Sequence, residues 1–382
     1  MDARSTYAHT DNLKYRLRQA CQLLGVTDNT LRTYADNAGI QIKRANESNP
    51  RAVASRVFEP DTLFQLAQWR RAQGWSKAPA GQGPVIIVVD VVKGGTGKTT
   101  TAVETAVHLQ FMGLRVLAID LDVQANLTQA FGYEADILDD EIASYGVTQE
   151  AVINSTIDNL VTPFLQTSTR PSPSASDNSK IEGLIKKPFG EAGPHLIGAN
   201  IDLANMETHI ANSKGPREMC LRNLFDAATR GEISSLPLSN YDVVILDCPP
   251  NVSFTSTAAL GAADLVIAPV RMDAFAIKGL IRLMGEIESI DATYKVRPEL
   301  VILPTHYAPQ IARIGRMQAK INQYKDLLAP NVISASEDFP KSLDQYLPLS
   351  LQRPSCTATS EYRMFAEFIQ GKVLSISAKK GK

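Results

Sequence analysis

The amino-acid sequence predicts an α/β protein with a mostly parallel sheet flanked by helices, preceded by a smaller helix-turn-helix region that is all-α or winged. Three observations predict this fold. Apolar runs of strand length alternate with helical patterns from residue 85 onward, the order that builds a parallel sheet covered on both faces. Two helical patterns around a glycine lie near the amino terminus. Finally, 382 residues, 44% of them hydrophobic, give room for two or three units, since domains commonly have ~100–200 residues.

Composition divides the chain into four parts. Residues 1–78 are predicted to form the helix-turn-helix region, 79–84 a linker, 85–372 the α/β body and 373–382 a basic tail. Residues 1–83 contain 12 Lys and Arg against 7 Asp and Glu, whereas the whole chain has a net charge of −1. A basic module on an acidic body favours contact with a phosphate backbone. The excess is modest and would not establish DNA binding alone.

Composition also argues against several classes of protein. The polar start of the chain predicts no signal peptide, and the apolar runs are shorter than the ~20 residues that a membrane span needs. Four scattered cysteines lack metal-ligand spacing and are expected to be free thiols in a reducing cytoplasm. We therefore expect a cytoplasmic protein with no membrane partner.

Strands of the body are predicted from short apolar runs bounded by turn residues. A polar segment, Thr167–Lys180, contains two prolines and five serines and is expected to be a surface loop or a locally disordered insertion. The predicted strands are Val85–Asp90, Arg115–Asp120, His195–Gly198, Asp242–Asp247, Leu265–Val270 and Glu299–Pro304.

A glycine-rich loop, Lys-Gly-Gly-Thr-Gly-Lys-Thr-Thr at residues 93–100, follows the first strand and precedes a helical pattern at Ala102–Met112. Glycines let backbone N–H groups approach phosphate oxygens, and the helix N-terminus adds the positive end of its dipole. The Lys98 charge would neutralise the β- and γ-phosphates, and the Thr99 hydroxyl would ligate Mg²⁺. The pattern predicts binding of ATP or ADP with Mg²⁺. The expected nucleotide contacts are Gly94, Gly95, Thr96, Gly97, Lys98, Thr99, Thr100, Pro304 and Thr305.

A second lysine, Lys93, stands just before Gly94 in the same loop. One lysine is enough for the phosphates of the nucleotide that the loop binds. A second lysine at the tip of the loop could reach the phosphate held by another subunit, as an arginine finger supplied in trans does. We therefore expect Lys93 to act catalytically across a homodimer, together with Lys98 and Asp122. The alternative is a solvated loop lysine beside a chance pair of glycines.

Carboxylates follow two predicted strands at the edge where ligands bind to parallel sheets. Asp120 and Asp122 come at the end of the second strand, and Asp247 ends the fourth strand before a Cys-Pro-Pro-Asn turn. The latter is a Walker B pattern, in which a strand-end carboxylate lies near the metal and the next loop senses the γ-phosphate. We predict that Thr99, Asp120 and Asp247 form the metal site and that Asp122 positions the attacking water.

The loop at 93–100, the segment Asp120–Thr128 and the turn Asp247–Pro250 together resemble the deviant-Walker ATPases, a branch of the P-loop NTPase fold. Within this branch the chain resembles the ParA-type plasmid and chromosome partition ATPases over roughly Val85–Ile369. Cell-division-site ATPases and the nitrogenase iron protein share the loop, so the motifs are less specific to the branch. Val123 is a departure, because partition ATPases usually carry proline at this position, which makes the turn more rigid.

This resemblance implies a Mg²⁺-dependent ATPase, slow without DNA and a partner, that segregates plasmid or chromosomal DNA. It implies a homodimer, a ParB-type centromere-binding adaptor protein as partner, and a nucleoid-associated location. It also implies repression of the protein's own operon through the amino-terminal region. The alternative from a different class is a nucleotide-sensing transcriptional regulator without a role in segregation. Asp122 discriminates between them, because a pure sensor needs no carboxylate that positions water.

The amino-terminal region has the layout of a helix-turn-helix. Helical patterns at Tyr15–Leu24 and Asp28–Ala38 are separated by Gly25, which suits a tight left-handed turn, and by Thr27, an N-cap candidate. The segment Val57–Leu63 resembles the start of MerR-like winged-helix regulators, whose wing would be the basic loop before it. The alternative is a helical hairpin used for dimer contacts. The second helix would enter the major groove, with DNA contacts from Asn29, Thr30, Arg32 and Thr33.

Two further patterns lie in the carboxyl-terminal part. Arg313, Arg316 and Lys320 share one helical face, and the family resemblance implies that such a surface binds nonspecific DNA in the ATP-bound dimer. The alternative is a solvated helix face. The tail from Phe365 is amphipathic and then basic, a pattern that membrane-binding helices share. We expect its apolar side to pack on the body instead.

Overall fold

A computed structural model describes residues 4–48, 51, 53–135, 137, 139–166, 181, 183–272, 276–308 and 320–381. The predicted insertion at 167–180 lies outside the described residues, as do Arg313 and Arg316. Lys320 is described and exposed.

A sheet of seven strands forms the centre of the body among the described residues. The strand order is β3–β4–β2–β5–β1–β6–β7, and every neighbouring pair is parallel except β3 with β4. The predicted mostly parallel sheet is therefore confirmed. The strands are β1 (Val85–Val89), β2 (Val116–Asp120), β3 (Ile185–Lys186), β4 (His195–Ile197), β5 (Val243–Asp247), β6 (Leu265–Arg271) and β7 (Glu299–Thr305).

Each predicted strand is present, and its ends differ from the predicted ends by one residue at most. The antiparallel edge strand β3 was not predicted. It has only two residues, both half-buried, so it is too short to show the alternation by which strands are recognised. Its position at the edge of the sheet is set by pairing with β4 rather than by its own sequence.

Helices cover both faces of the sheet. No helix formed by the described residues combines the length and the apolar character needed to cross a bilayer. The helices are α1 (Leu17–Leu24), α2 (Asp28–Asn37), α3 (Ala45–Ser48), α4 (Pro60–Ala72), α5 (Lys98–Phe111), α6 (Asn126–Ala130), α7 (Asp139–Ile142), α8 (Asp158–Gln166), α9 (Ala204–Ala211), α10 (Cys220–Thr229), α11 (Phe254–Ala262), α12 (Ala276–Tyr294), α13 (Asp338–Leu343), α14 (Leu349–Gln352) and α15 (Thr357–Lys380).

The alternation of side chains along each strand divides the core into two layers. Ile87 and Ile245 belong to the layer that contains α5, α15 and the helices of the amino-terminal region. Val88 and Leu246, one residue further along the same strands, belong to the layer of α8–α12. Central strands that are buried on both faces explain why these runs are uninterrupted by polar residues.

In the amino-terminal region, α1 and α2 are joined by a tight turn. Gly25, between α1 and α2, has a φ of 64°, and the Thr27 hydroxyl accepts a hydrogen bond from Thr30 N at 3.3 Å, as predicted for a left-handed turn and an N-cap. In the next segment, Arg44 and Arg56 form an isolated antiparallel bridge. The assignment of this loop as a wing stays a prediction.

The amino-terminal region packs directly on the body, with α4 against α5. The rings of Phe64 and Phe111 stack with centroids 4.4 Å apart. The buried Arg70 guanidinium donates to Leu24 O at 3.2 Å and to Phe111 O at 2.9 Å, the last residues of α1 and α5. Arg71 forms an ion pair with Asp242 at the start of β5. The two regions therefore share one apolar core.

The last helix, α15, runs unbroken across the predicted boundary between body and tail at residue 372. Val373 and Ile376 are buried in the core shared with α5. Lys372 and Lys379 both pair with Glu299 at the start of β7, at 3.0 and 2.9 Å. The apolar side of this segment thus packs on the body, as predicted from its amphipathic pattern.

A fully buried polar cluster joins α5 to α14. Glu104 accepts hydrogen bonds from the backbone N of Leu349 at 2.8 Å and of Ser350 at 3.2 Å, and also from the Ser350 hydroxyl. His108 Nε2 lies 2.8 Å from that hydroxyl. Burial raises the pKa of Glu104 from 4.5 to about 7 and lowers the pKa of His108 to about 3, the latter helped by Arg363. These residues hold α14 in place and are closed to solvent.

Glu104 makes stability depend on pH. Because its pKa is raised on folding, its contribution is fully present below about pH 4.5 and is lost as the pH rises through about 7. The Glu104→Gln variant cannot titrate, so we expect its free energy of unfolding to rise relative to the wild type between pH 4.5 and 7.5, by up to about 3 kcal/mol. Urea denaturation at several pH values measures this difference. The prediction is wrong if the free energies of unfolding of the two proteins change with pH in parallel. His108 is present in both proteins, so it does not account for a difference between them.

Candidate nucleotide site

The phosphate loop connects β1 to α5. Gly95 and Gly97 have φ angles of 68° and 90°, in the left-handed region that other residues rarely adopt. α5 begins directly after Gly97, so its first amide groups and the positive end of its dipole lie at the loop. Lys98 Nζ donates to the backbone oxygens of Lys93 at 2.9 Å and Val91 at 3.4 Å. This geometry is that of an anion cradle.

Asp247 is a buried carboxylate at the end of β5, in register with Asp120 at the end of β2. Neither of its oxygens has a hydrogen-bond partner of normal geometry among the described residues. Burial, followed by the negative charge of Asp120, raises its pKa well above the ordinary value, although the Thr99 hydroxyl and Lys98 act in the opposite direction. A cation at this position would relieve the repulsion.

Asp120 has its oxygens committed to the protein. Oδ1 accepts a hydrogen bond from Asp122 N at 3.1 Å, and Oδ2 accepts from the backbone N and the hydroxyl of Thr128 at 2.9 and 2.8 Å. Burial nevertheless raises its pKa to about 7. These contacts fix the turn that follows β2, which carries Asp122.

The side chains at this edge fit a magnesium ion. No group of three His, Cys, Asp or Glu side chains with metal-ligand geometry occurs in the described part of the chain. Mg²⁺ commonly uses one or two carboxylates together with phosphate oxygens and water. The Thr99 hydroxyl and the oxygens of Asp247 supply such donors. The predicted role of Asp120 as a third ligand stays a prediction, since its oxygens bond Asp122 N and Thr128.

Asp122 lies in the turn after β2 and lines the cavity next to the phosphate loop. Its Oδ1 accepts a hydrogen bond from Gln124 N at 3.0 Å, and Ala125 has a φ of 52° just before α6. A carboxylate held by its own turn, open to the cavity, can accept a proton from a water molecule there. Val123, at the position of the usual proline, is 37% exposed.

A cavity of about 940 Å³ lies beside the phosphate loop and Asp122, within the range of small-molecule sites (~300–1,000 Å³). Asp120 and Asp247 are not among its lining residues. All seven residues from Gly94 to Thr100 line it, with Asp122 and Thr305. The Thr305 hydroxyl donates to Thr96 O at 2.7 Å and so ties β7 to the loop. Pro304, also a predicted contact, is buried within β7 and is not among the lining residues.

Sequence reasoning missed much of the cavity wall. Arg271 at the end of β6 follows the same strand-end rule that identified the aspartates and could have been found by it. The other missed residues come from turns and from a segment far along the chain that has no motif of its own. They are Gln124, Asn126, Pro250, Met272, His306, Ala308, Ile333–Glu337, Phe339, Pro340, Leu343 and Tyr362.

The candidate DNA-contacting residues of α2 are largely on the surface. Asn29, Arg32 and Thr33 are exposed, whereas Thr30 is half-buried with its hydroxyl 2.8 Å from that of Thr27. Part of the positive charge of the loop predicted to be a wing is neutralised inside the amino-terminal region. Two of its basic residues form ion pairs, Lys43 with Glu59 and Arg56 with Asp36.

Comparison with known proteins agrees with an α/β body that carries a nucleotide site. The family model described as AAA domain matches residues 85–302. The chain is 29% identical over 289 residues to the chromosome-partitioning ATPase Soj of Thermus thermophilus, covering 74% of this chain and 93% of that protein. In structure it is similar to the McdA(D38A)–ATP complex of Cyanothece, with a TM-score of 0.58, 19% identity and coverage of 76% of this chain and 98% of that one.

A further structural relative has a different activity. Cobyrinic acid a,c-diamide synthase from Mycobacterium smegmatis, solved with an ATP analog and magnesium, matches with a TM-score of 0.54 and 24% identity over 75% of this chain and 94% of that one. Fold similarity at this level therefore does not decide the reaction.

The domain match covers more than half of the chain, so the protein belongs to the AAA domain family of P-loop ATPases. Within it the chain is a ParA-type partition ATPase, as its similarity in sequence to Soj indicates.

The two aspartates should separate metal binding from hydrolysis. Asp247→Asn removes the unpartnered charge, so we expect Mg²⁺-dependent ATP binding to weaken by at least about tenfold, while binding measured in EDTA changes little. Asp122→Asn should keep Mg²⁺-dependent binding and lose turnover. Titration with a fluorescent ATP analogue and a phosphate-release assay measure the two effects, and each variant is the control for the other. Normal turnover by Asp122→Asn would contradict the prediction that Asp122 positions the attacking water.

Proposed function

We propose that the protein is a Mg²⁺-dependent ATPase that segregates plasmid or chromosomal DNA together with a ParB-type centromere-binding adaptor. One observation carries the proposal. A phosphate loop with Lys98, the cavity-lining Asp122 and the buried carboxylate of Asp247 at the end of β5 all lie at the carboxyl edge of the sheet. The experiment that tests it is phosphate release from ATP by the full chain, alone, with DNA, and with DNA and the adaptor. We expect slow turnover that the two partners accelerate.

The surface around the nucleotide cavity favours a homodimer. Large apolar side chains are exposed in the segments that follow β2, β4 and β5, at the carboxyl edge of the sheet. Such residues are more common at interfaces than on free surface. They are Val123 (37% exposed), Ile201 (68%), Val252 (38%) and Phe254 (39%). A face-to-face dimer would cover them and would bring Lys93 of each subunit toward the partner's nucleotide.

Lys93 should act across the dimer. It is half-buried and does not line the cavity of its own subunit, so the Lys93→Ala variant should bind ATP normally but lose ATP-dependent dimerisation or hydrolysis, by at least about tenfold. Lys325→Ala removes one exposed lysine elsewhere and is the charge-matched control. Equilibrium ATP binding, sedimentation with a slowly hydrolysed ATP analogue and phosphate release give the three readouts. If Lys93→Ala dimerises and hydrolyses normally, the cross-subunit role is wrong.

DNA binding is proposed as the second activity. The exposed face of α2, with Asn29, Arg32 and Thr33, would contact an operator in the major groove and repress the protein's own operon. A separate basic surface, for which Arg313, Arg316 and Lys320 are the candidates, would bind nonspecific DNA in the ATP-bound dimer. Both activities suit a cytoplasmic, nucleoid-associated protein.

The close packing of α4 on α5 also supports a nucleotide-sensing regulator as the second candidate function.

The Arg32→Ala variant separates the two DNA activities. We expect it to lose footprints on the DNA upstream of its own gene, because a good bidentate base contact contributes ~1–3 kcal/mol. ATP-dependent binding to random DNA should remain and should fall steeply with salt. Arg230→Ala, an exposed arginine of the body, is the matched control. Loss of both activities in Arg32→Ala, or of neither, contradicts the assignment. Point variants are preferable to deletion of residues 1–83, which would uncover Phe111 and the core around it.

A further inference from the structure

The nucleotide cavity has two chemically different ends. The phosphate loop and Lys98 form one end, where phosphates must lie because the backbone amides and the positive charge are there. Another part of the lining, which we assign to the other end, is formed by Ile333–Glu337 with the apolar side chains of Phe339 and Leu343. An aromatic ring and an aliphatic side chain next to backbone polar groups are what a heterocyclic base requires. The base end of the cavity is therefore the wall made by residues 333–343.

The segment Ile333–Ala335 continues the sheet beyond β7. Ile333 N donates to Pro304 O at 2.9 Å, and Ala335 N donates to Tyr307 O at 3.0 Å. Ser334 forms a parallel bridge with Tyr307. These bonds set the segment in register with the strand end that also contacts the phosphate loop through Thr305. These backbone bonds do not fix the side chain of Ser334.

Glu361, near the start of α15, provides that second attachment. Its Oε2 accepts a hydrogen bond from Ser334 N at 2.7 Å, and its Oε1 accepts from the Ser334 hydroxyl at 2.6 Å. Its backbone oxygen accepts from Asn331 Nδ2 at 3.0 Å. A carboxylate that holds one residue by two hydrogen bonds fixes both position and orientation, and charge-assisted bonds of this kind are the strong ones.

The neighbouring residue connects the same turn of α15 to the phosphate end. The Tyr362 hydroxyl lies 3.0 Å from the Thr101 hydroxyl on α5, and its ring packs edge-on against Phe339 with centroids 5.9 Å apart. Tyr362 also lines the cavity. One helical turn therefore contacts the helix that carries the phosphate loop and the wall at the base end, so it sets the distance between them.

We propose that Glu361 is a positioning residue that fixes the base end of the cavity and thereby sets the selection of the purine base. The inference rests on the nucleotide-binding role proposed above. Glu361 acts through Ser334 and its neighbours and has no part in hydrolysis itself. Loss of its side chain frees the wall at residues 333–336 while the phosphate loop keeps its own contacts.

The test compares a complete nucleotide with its phosphate part alone. For Glu361→Ala we expect ATP affinity to fall by about tenfold and the preference for ATP over GTP to shrink, because two charge-assisted hydrogen bonds are lost. Affinity for inorganic tripolyphosphate should stay within about twofold of wild type, because the phosphate end is untouched. Glu367→Ala, an exposed carboxylate two turns along the same helix that pairs with Arg363, is the matched control.

Two milder variants keep the test decisive where Glu361→Ala unfolds. Glu361→Gln keeps an acceptor for Ser334 N and a group that can bond its hydroxyl, so it should retain the affinity and base preference of the wild type. Ser334→Ala loses one of the two bonds and should give an intermediate loss for ATP and none for tripolyphosphate. Equal losses for both ligands in Ser334→Ala, or none for either in Glu361→Ala, would overturn the proposal. Failure of the wild type to bind ATP would instead reject the proposed function.

Discussion

The structure depends on the burial of α5 along almost its whole length. Only Thr99 and Thr100 of this helix escape burial, so the helix must be matched by neighbours on every side. Its polar side chains need partners, since an unsatisfied buried polar group is costly. Gln110 bonds Val116 N at 2.9 Å and Ala192 O at 2.6 Å, and Glu104 bonds α14. Each partner fixes a different part of the chain relative to the phosphate loop.

The two ends of α5 connect the nucleotide site to the amino-terminal region. The phosphate loop lies at the positive end of the helix dipole, and Arg70 lies at the negative end. Arg70 is buried without an ion pair to a carboxylate among the described residues. The ends of α1 and α5 supply carbonyl oxygens and partial negative charge, roughly −0.5 for each helix. Because separating the regions would strip Arg70 of these partners, α2 and the phosphate loop belong to one packed unit.

The sequence was informative where one local pattern determines one structure. Gly97 and Lys98 occupy a loop whose conformation follows from its glycines, and the strand ends at Asp120 and Asp247 follow from apolar runs. The sequence was uninformative where contacts between distant parts of the chain determine the position or the length of a segment. The wall at 333–343 is placed by Glu361 and by β7, and the continuation of α15 past residue 372 is decided by packing on α5. Neither contact has a local signal.

The paired carboxylates explain why this edge of the sheet is suited to nucleotide chemistry. Asp120 and Asp247 are neighbours in a buried setting, and repulsion between like charges disfavours ionising both. Hydrogen bonds from Thr128 stabilise Asp120, which leaves Asp247 as the less compensated charge. A divalent cation bound with phosphates would supply the missing compensation, so metal and nucleotide binding reinforce each other. Burial of the two carboxylates thus favours binding of a metal cation together with the nucleotide phosphates.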